Sequence, residues 1–183
     1  MLSQEAFFTL PQNKVDLLER VSGSWAALQQ TIDGLSERQF TQVRDPAGWS
    51  IQDHLAHLSV WEEALVAMVK GSPFYEVFGL DRRQYEQIET TDQLNAIMHQ
   101  RVRAYPLSEV LGRCQQSHQQ MIALLSDLPE TDWKKPLSFF QPEEEDARPI
   151  LTKIVGDTYR HYAEHRTWIE ALIQKDGSNE TGY

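Results

Sequence analysis

Apolar residues recur along this chain in alternating steps of three and four. Leu18, Val21, Trp25, Leu28, Ile32 and Leu35 form the first series, the seam that a helix presents to its neighbours in a bundle. Pro11 suits a first helical turn and Gly34 an ending, so the pattern predicts a helix over about 11–34. A second series, Ile51, Leu55, Leu58, Leu65 and Val69, follows the turn-rich segment RDPAGWS. It opens at Ser50 with Asp53 three residues on, the spacing of a capping box, and closes at Gly71-Ser72-Pro73, giving a helix over about 50–70. Leu107, Val110, Leu111, Cys114, His118, Met121, Leu124 and Leu125 define a third over 107–128. Leu151, Ile154, Val155, Thr158, Trp168, Ile169 and Leu172 define a fourth over 150–175. No alternation of period two persists beyond four residues, so strands are not expected.

The intervals are less regular. Residues 74–91 read as a connection with one short helix, and Thr90 with Gln93 opens a further helix to about Arg103, stopped by Tyr105-Pro106. The proline-rich stretch 129–149 holds the acidic run Glu143 to Asp146, read as a solvated loop. The polar tail DGSNETGY is expected to fray. The expected architecture is one all-α domain over 1–183, an antiparallel four-helix bundle with a long crossover between its second and third main helices.

Composition narrows the partners. At 40% hydrophobic and 24% charged, the chain can build an ordinary globular core. A net charge of -10, with basic clusters no longer than Arg82-Arg83 and Lys134-Lys135, argues against nucleic acid. The single Cys114 cannot close an internal disulfide, which suits a reducing compartment. The N-terminal MLSQEAFFTLPQNK lacks the basic start and apolar run of a signal peptide, and no stretch approaches 18 apolar residues. A cytoplasmic protein that neither spans nor enters a membrane is therefore expected.

The candidate chemistry lies in histidines. His161 and His165 are four apart and fall on the apolar stripe of the last helix, so one face carries both. A buried imidazole needs partners for its ring nitrogens, which either hydrogen bonds or a divalent metal can supply. The second helix offers His54 and His57, and helical phase does not choose between them. With Ser50 as the cap, Trp49 and His54 occupy the staple positions of the helix entry, which gives His54 a structural job and leaves His57 free to ligate. Cys114 and His118 are also four apart, but a packed thiol beside a hydrogen-bonded histidine explains them as well as zinc does. His99 falls where the pattern is irregular and carries no assignment. No Walker loop, dinucleotide fingerprint, nucleophile elbow or C-x-x-C appears.

The pairing of GWSIQDHLAHLSVWEE with DTYRHYAEHRTWI resembles the superfamily of damage-inducible DinB/YfiT-like four-helix-bundle proteins. The resemblance implies a metal triad of His57, His161 and His165, holding a divalent ion for which zinc and nickel are the first choices. The middle stretch DQLNAIMHQRVRAYPLSEVLGRCQQSHQQMIALL is similar to one branch, the ClbS/DfsB-like proteins, which includes the colibactin self-protection protein. Relatives in the superfamily include thiol transferases and a thiol-dependent isomerase. The resemblance therefore implies a metal-dependent hydrolase or thiol transferase acting on a reactive small molecule, with a low-molecular-weight thiol as a partner. A binding or sequestration protein on the same bundle is the alternative. Tyr162, near the His165 face, is the expected proton donor, and exposed tryptophans such as Trp133 suggest a homodimer.

Overall fold

A computed structural model describes residues 9–180 of the chain, and the side chains of these up to 177. The first eight residues of the segment read against a signal peptide, and the last three of the tail, lie outside the described residues. Four long helices make the bundle: α1 (Lys14–Ile32), α3 (Ile51–Val69), α6 (Leu107–Asp127) and α9 (His161–Glu180). Short elements fill the connections. They are α2 (Glu37–Thr41), α4 (Arg82–Tyr85), α5 (Thr91–Val102), α7 (Leu137–Phe140) and α8 (Ile150–Val155), with 3-10 turns at Phe74–Phe78 and Glu130–Asp132. No strand occurs among the described residues. The fold is the all-α antiparallel bundle, and its long crossover carries α4 and α5.

Local chemistry sets most boundaries. At α3 the Ser50 hydroxyl accepts from the Asp53 N–H at 3.2 Å and the Asp53 carboxylate accepts from the Ser50 N–H at 2.9 Å. Thr90 and Gln93 make the same exchange at α5. Each box satisfies donors that the first helical turn leaves free. α1 starts later than Pro11 suggests, because Asn13 caps it through the Asp16 N–H. The last helix runs on to Glu180 instead of fraying near 175. Asp176 is buried there and held by Arg38 at 2.8 Å.

α3 is the central element. Fifteen of its 19 residues are buried, which is why its stripe is broad and its polar face short. It packs on α6, the first 3-10 turn, α5 and α9, while α1 closes against α9. Between α8 and α9 the chain makes a π turn, Gly156–Arg160, with Thr158 at φ -119° and ψ -112°. The Ser24 hydroxyl of α1 donates to the Tyr159 carbonyl in this turn at 2.8 Å.

Two tryptophans depart from expectation. Trp133 is buried at 5% exposure under the bundle, which removes it as a dimer contact. Trp168, placed on the core stripe by its spacing, is 48% exposed. The acidic run is not simply solvated either, since Glu144 and Asp146 line a cleft. No helix among the described residues is long and apolar enough to cross a membrane.

Candidate metal centre and cleft

The capped start of α3 holds His54 and His57 on one side of the helix, three residues apart. The π turn delivers His161 and His165 at the start of α9. One nitrogen from each of His57, His161 and His165 falls within 4.8 Å of the others. His57 Nε2 and His161 Nε2 are 2.9 Å apart. The rings of His57 and His165 stack with centroids 4.6 Å apart, and His161 meets His165 edge-on at 4.6 Å. The structure thus brings together the three histidines that the resemblance selects.

Their surroundings keep them neutral. Burial pushes His57 and His165 well below the usual imidazole range, with the neighbouring histidines adding to the shift. Burial, and then the Lys153 ammonium, lowers His161 to about 3. A neutral imidazole is the form that ligates a metal. The Nδ1 atoms of His57 and His161 are buried without a hydrogen-bond partner. Three neutral nitrogens at the corners of a small triangle fit a divalent ion, for which bonds of about 2.0–2.1 Å place ligand nitrogens about 3.3 Å apart in a tetrahedral set.

His57 and His161 also line a cleft of about 610 Å³. Its walls include Trp61, Phe74, Tyr85 and Leu94, and Lys153 and Asp157 lie in it beside the histidines. Lys153 pairs with Asp157 and sits over the Trp61 ring at 4.5 Å from the centroid. Burial pushes the Asp157 carboxyl up, against the pull of Lys153. Glu144, at the cleft wall, is raised by burial too. Sequence reasoning passed over Lys153, Asp157 and Trp61. The spacing Lys153, Asp157, His161 on consecutive turns is the signal that could have found the first two.

The other sequence candidates are placed differently. His54 does pack against Trp49, with centroids 5.5 Å apart, as a staple should. Its Nδ1 is also 3.0 Å from His165 Nδ1, so it is not only structural. His99 lies within α5, stacked on Trp49 at 4.5 Å and with Nε2 3.4 Å from the Asp53 carboxylate. Burial works against ionisation of Asp53, but the Ser50 bonds and then His99 hold its carboxyl below the usual range.

Tyr162 does not line the cleft. Its hydroxyl donates to the fully buried Glu62 Oε1 and lies 3.3 Å from His118 Nδ1. Ser117 donates to the other Glu62 oxygen. Burial, and then the Glu62 charge, pushes the Tyr162 phenol well above 10. The geometry gives Tyr162 a place in a core polar network, not at the histidine centre. His118 belongs to that network and stacks on Trp25 at 4.0 Å. Cys114 is buried beside it, its thiol pushed up to about 12 by burial and then by the Glu62 charge, which disfavours the thiolate that would ligate or attack.

A helical bundle with a largely buried histidine triad opening on a cleft defines the class of protein. Its family follows from the pattern of the DinB superfamily, which matches residues 20–167. The chain belongs to that superfamily. Three solved structures share the fold. An uncharacterised protein of Escherichia coli UTI89 aligns with a TM-score of 0.71 at 13% identity over 92% of this chain and 96% of that one. An uncharacterised protein of Clostridium difficile 630 gives 0.70 at 14% identity over 91% and 98%. A structural-genomics target from Streptococcus pneumoniae gives 0.66 at 14% identity over 89% and 91%. No curated protein matches the chain.

Proposed function

We propose that this chain is a metal-dependent enzyme, a hydrolase or thiol transferase, that disarms a reactive electrophilic small molecule in the cytoplasm. The observation that carries the reading is the convergence of three neutral imidazoles from two helices at the edge of a cleft lined by a raised carboxyl group. His57, His161 and His165 would hold the ion, zinc or nickel being the natural choices for an all-imidazole set. The ion would supply Lewis acidity, and with it a water or small thiol that ionises near neutral pH.

The chain's own residues do the rest. Trp61, Phe74 and Tyr85 offer an aromatic wall for the apolar body of a substrate and exclude water from it. Asp157, raised by burial, accepts the proton that the attacking water or thiol loses. Lys153 pairs with Asp157 and keeps that carboxylate aimed into the cleft. The resemblance of the middle segment to the ClbS/DfsB-like branch supports a detoxification or self-protection role.

The test uses protein purified without a histidine tag and loaded with zinc or nickel. It is offered a panel of epoxides and other strained electrophiles, with and without a small thiol. Turnover that a chelator abolishes, and that Asp157→Asn lowers about 100-fold, is the expected result. Stoichiometric binding with no turnover in any arm would replace the enzyme with a sequestration protein.

A further inference from the structure

The segment RDPAGWS does more than turn the chain between α2 and α3. Asp45 and Trp49 close it, the Asp45 N–H donating to the Trp49 carbonyl at 2.9 Å. The Asp45 carbonyl accepts from the Gly48 N–H at 3.0 Å, and Gly48 takes φ +88°, a conformation that favours glycine. The Trp49 N–H then donates to Asp45 Oδ1 at 2.9 Å. That bond fixes the carboxylate so that Oδ2 faces His54 Nε2 at 3.5 Å. The distance is too long for a full hydrogen bond, and Nε2 is buried with no other polar partner. On its other side His54 Nδ1 meets His165 Nδ1 at 3.0 Å, with both rings only 2% exposed.

Proton logic orders this row. A carboxylate only accepts, and a ring lone pair turned toward it would be repelled. The single proton of neutral His54 therefore sits on Nε2. Its Nδ1 is then a lone pair, and only His165 Nδ1 can supply the proton in the bond between them. His165 is thereby left with a lone pair on Nε2. The tautomer of a metal-ligating histidine is commonly set through its second nitrogen, and loss of that partner weakens the metal about 10–100-fold.

We propose that Asp45 and His54 are positioning residues that fix His165 as the Nδ1–H tautomer and present its Nε2 lone pair to the metal. The inference rests on the reading of His165 as a ligand, and its first test does not require metal. Ring nitrogen shifts of the metal-free protein, recorded with 15N-labelled histidine at pH 7.5, should show the His165 proton on Nδ1 and the His54 proton on Nε2. Zinc affinity is then measured by competition with a coloured chelator. His54→Phe, which cannot accept, should bind zinc about 10–100-fold more weakly. His54→Asn, whose side-chain oxygen can take over as acceptor, should recover most of that loss. Asp45→Leu should shift the His165 proton toward Nε2 and weaken zinc as well.

A parent protein that binds zinc while its metal-free form carries the His165 proton on Nε2 would overturn the relay alone. So would a His54→Phe protein that folds and binds zinc like the parent. Failure of the parent itself to bind zinc or nickel would sink the metal reading, and the relay with it.

Discussion

Acid should destabilise the metal-free protein steeply, and the reason lies in the buried imidazoles of His57 and His165 and the half-buried one of His161. His57 and His165 are held well below 6.5, and His161 at about 3, whereas the unfolded chain protonates each near 6.5. The unfolded state therefore binds more protons, so stability is full above pH 6.5 and falls as the pH drops below it. For His161 the loss continues until pH about 3 is reached. His161, still neutral in the folded state at pH 5, costs about 2 kcal/mol relative to neutral pH, and His57 and His165 add to the loss in the same direction. Asp157 and Glu144 oppose this, because burial raises both and the folded state takes their protons more readily in acid. Urea unfolding followed by circular dichroism at pH 7, 6 and 5, with chelator present, measures the slope. His161 alone predicts about 1.4 kcal/mol per pH unit below 6, before the carboxyl offset, with His57 and His165 steepening the fall, and His161→Gln should remove its share. A flat profile between pH 7 and 5, or an unchanged slope in His161→Gln, would refute the account of the site as a neutral cluster.

Metal and core give two further tests. Zinc at about 100 times its dissociation constant should stabilise the parent by about 2.7 kcal/mol, raising the melting temperature by roughly 5–10 °C. His161→Ala should show no such rise, and an equal response would remove His161 from the ligand set. Tyr162→Phe should cost about 1–3 kcal/mol, because Glu62 loses a buried donor. The same variant should keep its zinc affinity and turnover, and a loss of turnover at full metal occupancy would return Tyr162 to the chemistry.

The legible parts of the fold are those that depend on neighbours in sequence. Ser50 with Asp53 and Thr90 with Gln93 announce their helices because a capping box is built within four residues. Leu28 and Met121 announce burial because each repeats at helical spacing. Trp133 has no such frame, lying just past a 3-10 turn between helices, so nothing local says that it is buried. Glu144 and Asp146 look like solvent loop until the chain folds them against α3 and α8. Of the site, the His161 and His165 pair is visible in one helix. His57 is reached by giving His54 the staple role at the helix entry and then by resemblance, whereas the partnership of His54 with both Asp45 and His165 exists only in three dimensions. In sequence Tyr162 is placed by its closeness to the His165 face, three residues on and about 60° around the helix, whereas its hydroxyl reaches Glu62 in the core.

The π turn explains how one helix can serve both core and cleft. Thr152 and His161 both line the cleft. Nine residues of unbroken α-helix make two and a half turns, which would point them about 180° apart. A regular π turn takes up one extra residue, which would cut that angle to about 80°, and here Thr158, at φ -119° and ψ -112°, kinks the helix as well. His161 is thus moved off the core stripe, where its spacing alone would put it, and onto the wall that Lys153 and Asp157 already occupy. Such a turn needs outside support, and Ser24 supplies some by donating to the Tyr159 carbonyl from α1. Ser24→Ala should therefore cost about 1–2 kcal/mol for the lost buried bond. If the bond also holds the helical phase, zinc affinity should fall along with stability, at temperatures where the variant is fully folded. A Ser24→Ala protein that is less stable yet binds zinc like the parent would show that the turn keeps its phase without α1.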